Sequence, residues 1–293
     1  MLDRIRVWFG AGVLAGLVVS GTLATHASGA LATHRVSRAE EHYRVERIAV
    51  EAGKPSLPTE IPEAFAKLLD PAGVRVLVSA SVEAKDAKPL CEIWLRRELP
   101  LAEKPAAASN VKLPRLAFGE FVGALRTTGE MTDYRDQAIA AGVYGLRYGQ
   151  QPADGDHLGT SDSRDFLVLT SFEHDQDVAP VAKIDELVAR SKPISPSEHA
   201  IVLYLAEAPP ADATHGGSAP AAPAASSPAP AKDGTPPAGD ANAGAAHDPL
   251  PRFFQRGSKD EWALELLLHG RPEGGKEPEP LRAAVVLVGH TAG

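Results

Sequence analysis

The chain has 293 residues, 44% of them hydrophobic but only 5% aromatic, which suits one large domain or two small ones. Its 26 glycines and 25 prolines favour short strands, turns and a disordered portion over a helical enzyme. A formal net charge of −8, with no basic stripe interleaved with aromatics, excludes nucleic acid as an expected partner.

At the N-terminus, Arg4 and Arg6 precede "VWFGAGVLAGLVVSGTLA", an uncharged run from Val7 to Ala24. Small residues follow, with Thr25-x-Ala27 and Ala30-x-Ala32 spaced as export-peptidase sites. Residues 1–32 therefore read as a signal peptide or an N-terminal membrane anchor, with residues 7–24 as the possible tether. Either alternative places the rest of the chain outside the cytoplasm, as a periplasmic, secreted or membrane-anchored protein. Cys91 is the single cysteine, so no intrachain disulfide forms, and its place in an alternating apolar run marks it as a small core hydrophobe.

The body, 40–206, opens with a strand in "HYRVERIAVEAG" (42–53). "IPEAFAKLLD" (61–70) puts Phe65, Leu68 and Leu69 on one helical face before Pro71 ends it. "VRVLVSASVEA" (74–84) and "PLCEIWLRREL" (89–99) form a predicted hairpin; in its second arm Cys91, Ile93 and Leu95 alternate with Glu92, Trp94 and Arg96. Further strands are predicted at 115–127, 142–150, 165–172 and 199–206. Between the last two, "AKIDELVARSK" (182–192) has the 3.6-residue period of a helix through Ile184, Leu187 and Val188.

Residues 207–249 are dominated by Ala, Pro, Gly and Ser, with no aromatic or long aliphatic side chain to offset the entropy of ordering. That stretch reads as a disordered linker. Beyond it, "EWALELLL" (261–268) and "LRAAVVLVGH" (281–290) make a C-terminal hairpin within 250–293. Two strands alone are marginal in water, so this pair needs the earlier sheet, and loop-closure entropy tolerates the long insertion. The expected fold is mainly β, an immunoglobulin-like antiparallel β-sandwich with one or two short helices and a long disordered insertion.

One loop stands out. Between "GVYGLRYGQ" and "DFLVLTSF", residues 151–164 hold Asp154, Asp156, His157 and Asp162. Pro152, Gly155 and Gly159 give every part of it an ordinary turn-forming explanation, and Arg164 with Asp165 is expected to pair at the strand entry. The sharper alternative is a divalent-metal site on Asp154, Asp156 and His157, with His174, His199, His34 or His42 as a distant further ligand. No spacing matches an EF-hand or a zinc cluster.

The segment "GVYGLRYGQQPADGDHLGTSDSRDFLVL" resembles uncharacterised exported bacterial proteins with the pattern G-V-Y-x-L-R-Y, D-G-x-H-x-G, R-D-F-L. The similarity extends through "CEIWLRRELP" and "LAFGEFVGALR" and implies no activity. More remotely, the segment is similar to the strand-loop-strand of periplasmic copper-resistance sandwich proteins, where a D-G-H-x-x-x-G loop follows a strand. That resemblance implies copper on His157 with Asp154. Asp156, however, stands between Gly155 and His157 here, and no expected cleavage leaves a histidine first.

Other candidates read more plainly. Ser161, Ser163, Asp162 and His157 supply the residue types of a hydrolase triad but no nucleophile elbow. Glu40–Glu41 and Asp175–Asp177 read as solvated loop charge, and Gly274–Gly275 as a turn without phosphate-binding context. Trp94 and Trp262 read as packing residues, and His269 and His290 as solvated strand ends. The expectation is an exported, non-enzymatic binding or scaffold module of the cell envelope with an unidentified partner, no assigned catalytic residue and no cofactor beyond a possible divalent metal. A copper-like metal-binding protein using 151–164 is the alternative, and a small hydrolase the weaker one.

Overall fold

Period-two alternation of apolar side chains builds this molecule. In the computed structural model the strands are β1 (Arg47–Ala52), β2 (Val74–Ser79), β3 (Lys88–Leu95), β4 (Leu99–Leu101), β5 (Phe121–Thr127), β6 (Met131–Thr132) and β7 (Ala138–Ile139). They continue as β8 (Gly142–Gln150), β9 (Asp165–Ser171), β10 (Val202–Ala206), β11 (Arg252–Arg256), β12 (Glu261–Pro272) and β13 (Glu279–Val288). The helices are α1 (Glu63–Ala66) and α2 (Ile184–Ser191), with one 3₁₀ turn at Lys192–Ile194. The structure describes residues 47–53, 55–79, 87–106, 110–129, 131–152, 163–210, 250–256, 261–275 and 277–289, all within the unit Ser37–Gly293. Residues 1–32, read above as a signal peptide or membrane anchor, and residues 211–249 of the expected linker lie outside the described residues.

The fold is mainly β. Eleven strands form one antiparallel-rich sheet in the order β1-β2-β3-β5-β8-β9-β10-β13-β12-β11, with β4 added in parallel to β12. β6 and β7 pair separately. The sheet curls on itself, bringing its outermost strands β1 and β11 into contact. The corner is β10, whose Val202–Tyr204 pair with β9 while Leu205 and Ala206 pair with β13. Strands from either side of the 211–249 stretch thus belong to one sheet.

The curl encloses a single large apolar core. Val76, Ile93, Leu125, Leu146, Leu167 and Leu203 on one half meet Leu264, Leu266, Val285 and Leu287 on the other. Each such side chain contributes about 1.5–3 kcal/mol by burial. Cys91 lies among them, 1% exposed, and burial pushes its thiol far above its usual range, so it is an inert hydrophobe.

The opposite face of the first half is also covered. The segment 55–70 lies over Trp94, Phe121 and Ala124, with Phe65 edge-on to Phe121 at 4.8 Å and to Phe172 at 5.1 Å. Trp94 Nε1 donates to the Pro55 carbonyl at 3.2 Å. The helix expected over 61–70 is only one turn. Its last residues are taken by the sheet, through the Leu69–Arg96 bridge and the Asp70 amide on Leu95.

The strand expected from 115 starts at Phe121. The chain turns at Gly119 (φ +73°), where an added Cβ would lie 2.1 Å from the Val181 carbonyl oxygen. Charged residues complete the outer surface as a cross-strand ladder, Glu51–Arg75–Glu92–Arg126, over β1, β2, β3 and β5.

Candidate functional site

Asp154, Asp156 and His157 lie outside the described residues, as do Asp162, His34 and His42. What the structure places is the base of their loop. The Asp165 carboxylate, fully buried, accepts the Lys112 amide at 2.7 Å, the Leu113 amide at 3.3 Å, the Tyr148 hydroxyl and the Ser163 hydroxyl at 3.2 Å. Burial, and then Asp165, push the Tyr148 hydroxyl far above its usual range, which keeps it a proton donor. The expected Arg164–Asp165 pair is not how the strand entry is held. Arg164 Nε instead donates to the Gln151 carbonyl at 2.8 Å, tying the two loop ends together, while Asp165 anchors the 112–113 segment.

Beside this base lies a cavity of about 310 Å³ on the outer face of β9 and β10, roofed by α2. Phe166, Val168, Leu187, Val188, Ala200 and Val202 make its apolar lining; Arg135, Asp185, Glu198 and His199 stand at its exposed rim. Tyr134 and Tyr204, with ring centroids 5.6 Å apart, close one end, and Gln151 and Pro152 lead from it into the 153–162 loop. Ile184 is the one large apolar side chain among the described residues left exposed, at 37%. It lines this cavity and a neighbouring hollow formed with Phe118, Gln150 and Arg164.

Two buried acids hold these walls. Asp133, 1% exposed, accepts the amides of Arg135 (2.8 Å), Gln137 (2.9 Å) and Val202 (3.2 Å), clamping the β6–β7 turn onto β10 so that Tyr134 faces the cavity. At the end of α2, Ser191 accepts the Ile201 amide at 3.0 Å, and Arg190 donates to Asp175 at 2.5 Å.

Asp175 overturns the expectation of solvated loop charge: it is fully buried, because Arg147 in the middle of β8 requires a partner there. Arg147, also fully buried, donates to both Asp175 oxygens (2.6 and 2.8 Å) and to the carbonyls of Gly119 (2.7 Å), Ala179 (2.9 Å) and Asp177. Thr170 adds a 2.7 Å bond to Asp175. This network straps the 172–181 loop onto the sheet.

That strapped loop walls a second groove, of about 800 Å³, between 96–102, 178–180 and 271–275. Arg96 and Glu120 lie at its floor as an ion pair, Glu120 being 2% exposed. Burial pushes the Glu120 carboxyl above its ordinary range, against the pull of Arg96. Arg271 and Glu98 pair across the groove's more exposed side, and the guanidinium holds the Glu98 carboxyl below its usual range. Among the described residues no three His, Cys, Asp or Glu side chains are grouped to hold a metal, and no helix is long and apolar enough to cross a membrane. Compared with known proteins, the chain matches no family model, no curated protein and no solved structure.

Proposed function

We propose that this chain is an exported cell-envelope module that binds a small, largely apolar ligand and performs no chemistry on it. The observation that carries this function is the cavity under α2. Its volume lies at the lower end of the roughly 300–1,000 Å³ of small-molecule sites, and its make-up, an apolar floor with a few polar groups at the rim, is that of a ligand seat. A ligand filling it would displace about ten waters' worth of liquid. Exposed Ile184 at its lip adds apolar surface that a ligand would cover. No described lining residue is Ser, Thr or Cys, the commonest hydrolase nucleophiles. Export rests on the apolar run and small-residue spacing of residues 1–32. We take the two facing halves of the curled sheet, hinged at β10, as the expected sandwich, its strand order advancing to β10 and reversing beyond it as β13-β12-β11.

The test pairs localisation with binding. The tagged full chain should fractionate outside the cytoplasm. Indole and naphthalene, as neutral apolar probes, should bind wild type and be lost from Val202→Phe, which fills the cavity from its floor. Equal binding by both proteins, a cytoplasmic chain, or turnover by the purified protein would each overthrow the assignment.

A second function has one specific support. Gln151 and Pro152, which lead in sequence to Asp154, Asp156 and His157, line the same cavity as His199. The second reading is a copper-like divalent ion on His157 with Asp154 or Asp156, and His199 as the further ligand. Calorimetry with copper, zinc and calcium should then show heat lost in both His157→Ala and His199→Ala. Titrations unchanged by either substitution remove the metal.

A further inference from the structure

Arginine seldom lines a groove with most of its donors idle. Arg96, largely buried at the end of β3, engages through one nitrogen of its side chain: Nη1 donates to Glu120 and, at 3.4 Å, to the Phe121 carbonyl. Nε is sealed from solvent without an acceptor, and Nη2 has no partner among the described residues. Nη2, unmatched yet not sealed, is the donor that an absent ligand would meet. Glu120 is equally one-sided, since Oε1 accepts both Arg96 and the Phe121 amide (3.2 Å). Both side chains floor the 800 Å³ groove, and Arg271 supplies a second guanidinium to it.

A planar guanidinium matched through Nη1 keeps its Nη2 donors open to a second oxyanion. We propose that this groove binds a small oxyanion, a carboxylate or phosphoryl group, with Arg96 as its anchor. The charges that face Glu120 decide how the site behaves. Arg96 faces it from β3, and Arg147 lies behind it on β8, already matched by Asp175. Across the groove stand Glu98, Arg271 and Glu273. Glu98 and Arg271 neutralise each other, and exposed Glu273 is screened by salt. An incoming anion is therefore attracted by Arg96 and opposed chiefly by Glu120.

Burial already favours the neutral form of that carboxyl. A proton on Glu120 removes the opposing charge and adds an O–H donor toward the anion. Anion binding and protonation of Glu120 thus promote each other, and affinity rises as pH falls.

Sulfate keeps its charge over the pH range concerned, so it reports on the protein alone. Calorimetry of the full chain should show sulfate bound about fivefold or more tightly at about pH 5 than at about pH 7.5. Glu120→Gln should bind it equally at both values, as tightly as acid wild type. Arg96→Lys, which keeps a cation opposite Glu120 but not the Nη2 donors, should lose sulfate at both, so the decision does not depend on Glu120→Gln folding. Succinate and inorganic phosphate at acid pH then name the class, each counted only where Arg96→Lys abolishes it. Wild-type affinity indifferent to pH, sulfate retained by Arg96→Lys, or no binding of any of the three anions would overturn the site.

Discussion

Replacing Arg147 with methionine is the most direct test of how this sheet holds its outer loops. The side chain is fully buried, makes five hydrogen bonds and sits 6.0 Å from both the Phe65 and Phe121 ring centres. Methionine fills much of the volume but removes the cation. Asp175 would keep Arg190, whose side chain is 25% exposed, and the Thr170 hydroxyl as partners for a carboxylate with no access to water. Breaking a buried pair from one side costs about 3–5 kcal/mol, because the remaining charge stays desolvated. For a folded unit of this size, each kcal/mol lowers Tm by about 2–4 °C, so the expected drop is about 6–20 °C.

Urea and thermal unfolding of Arg147→Met, Asp175→Leu and the double variant form the assay. The double variant should recover much of the loss, since two apolar residues leave no stranded charge. A single-variant cost under about 1 kcal/mol, or strictly additive losses, would refute the buried-network argument. The 178–180 wall of the groove hangs on the same network, so Arg147→Met should also weaken sulfate binding.

Two more outcomes follow from the same region. Gly119→Ala should cost at least about 2 kcal/mol, because it combines a left-handed backbone with a 2.1 Å approach to the Val181 carbonyl oxygen; Gly274→Ala, with similar φ but open space, should lose only about 1 kcal/mol. Equal losses in urea unfolding would show that the close approach does not matter. The raised carboxyl of Glu120 contributes stability that is fully present below its unfolded value and lost as pH rises through the folded one. Glu120→Gln cannot ionise, so its Tm relative to wild type should climb between about pH 4 and pH 8, and a flat or falling difference would contradict the shift.

The long strands were legible because their inward residues alternate: Cys91, Ile93 and Leu95 in β3, or Leu167 and Leu169 in β9, point into the core as the pattern indicates. Short strands were not. β4 is Leu-Pro-Leu, and its parallel partner on β12 lies about 170 residues along, beyond the linker, so neither propensity nor local spacing marks it. β6 and β7 are two residues each and exist because Asp133 ties their turn to β10. α1 failed to extend because Leu69 and Asp70 found backbone partners on the sheet. An arginine amid "GVYGLRYGQ" demands a buried acid, and Asp175 was available.

The candidate sites escaped sequence reading for a related reason. In a curled sheet the inner face is filled by the sheet itself, so alternation predicts it well. The outer face is filled by whatever crosses it: 55–70 over Trp94, 172–181 over Arg147, and α2 over Val168. These covers are short and come from distant parts of the chain, and each is fixed by a few buried polar ties rather than by a periodic pattern. Both hollows lie where adjoining covers fail to meet. One opens between α2 and the Asp133-clamped turn, and the other between the 178–180 strap and the β12–β13 turn. Their linings therefore join residues as far apart as Tyr134 and Tyr204, or Arg96 and Arg271, which no motif connects. The shape of both hollows is accordingly set by the ties that hold the covers, above all Arg147–Asp175 and Asp133. Substitutions at those buried acids and their partners should reshape binding more than changes at the exposed rims.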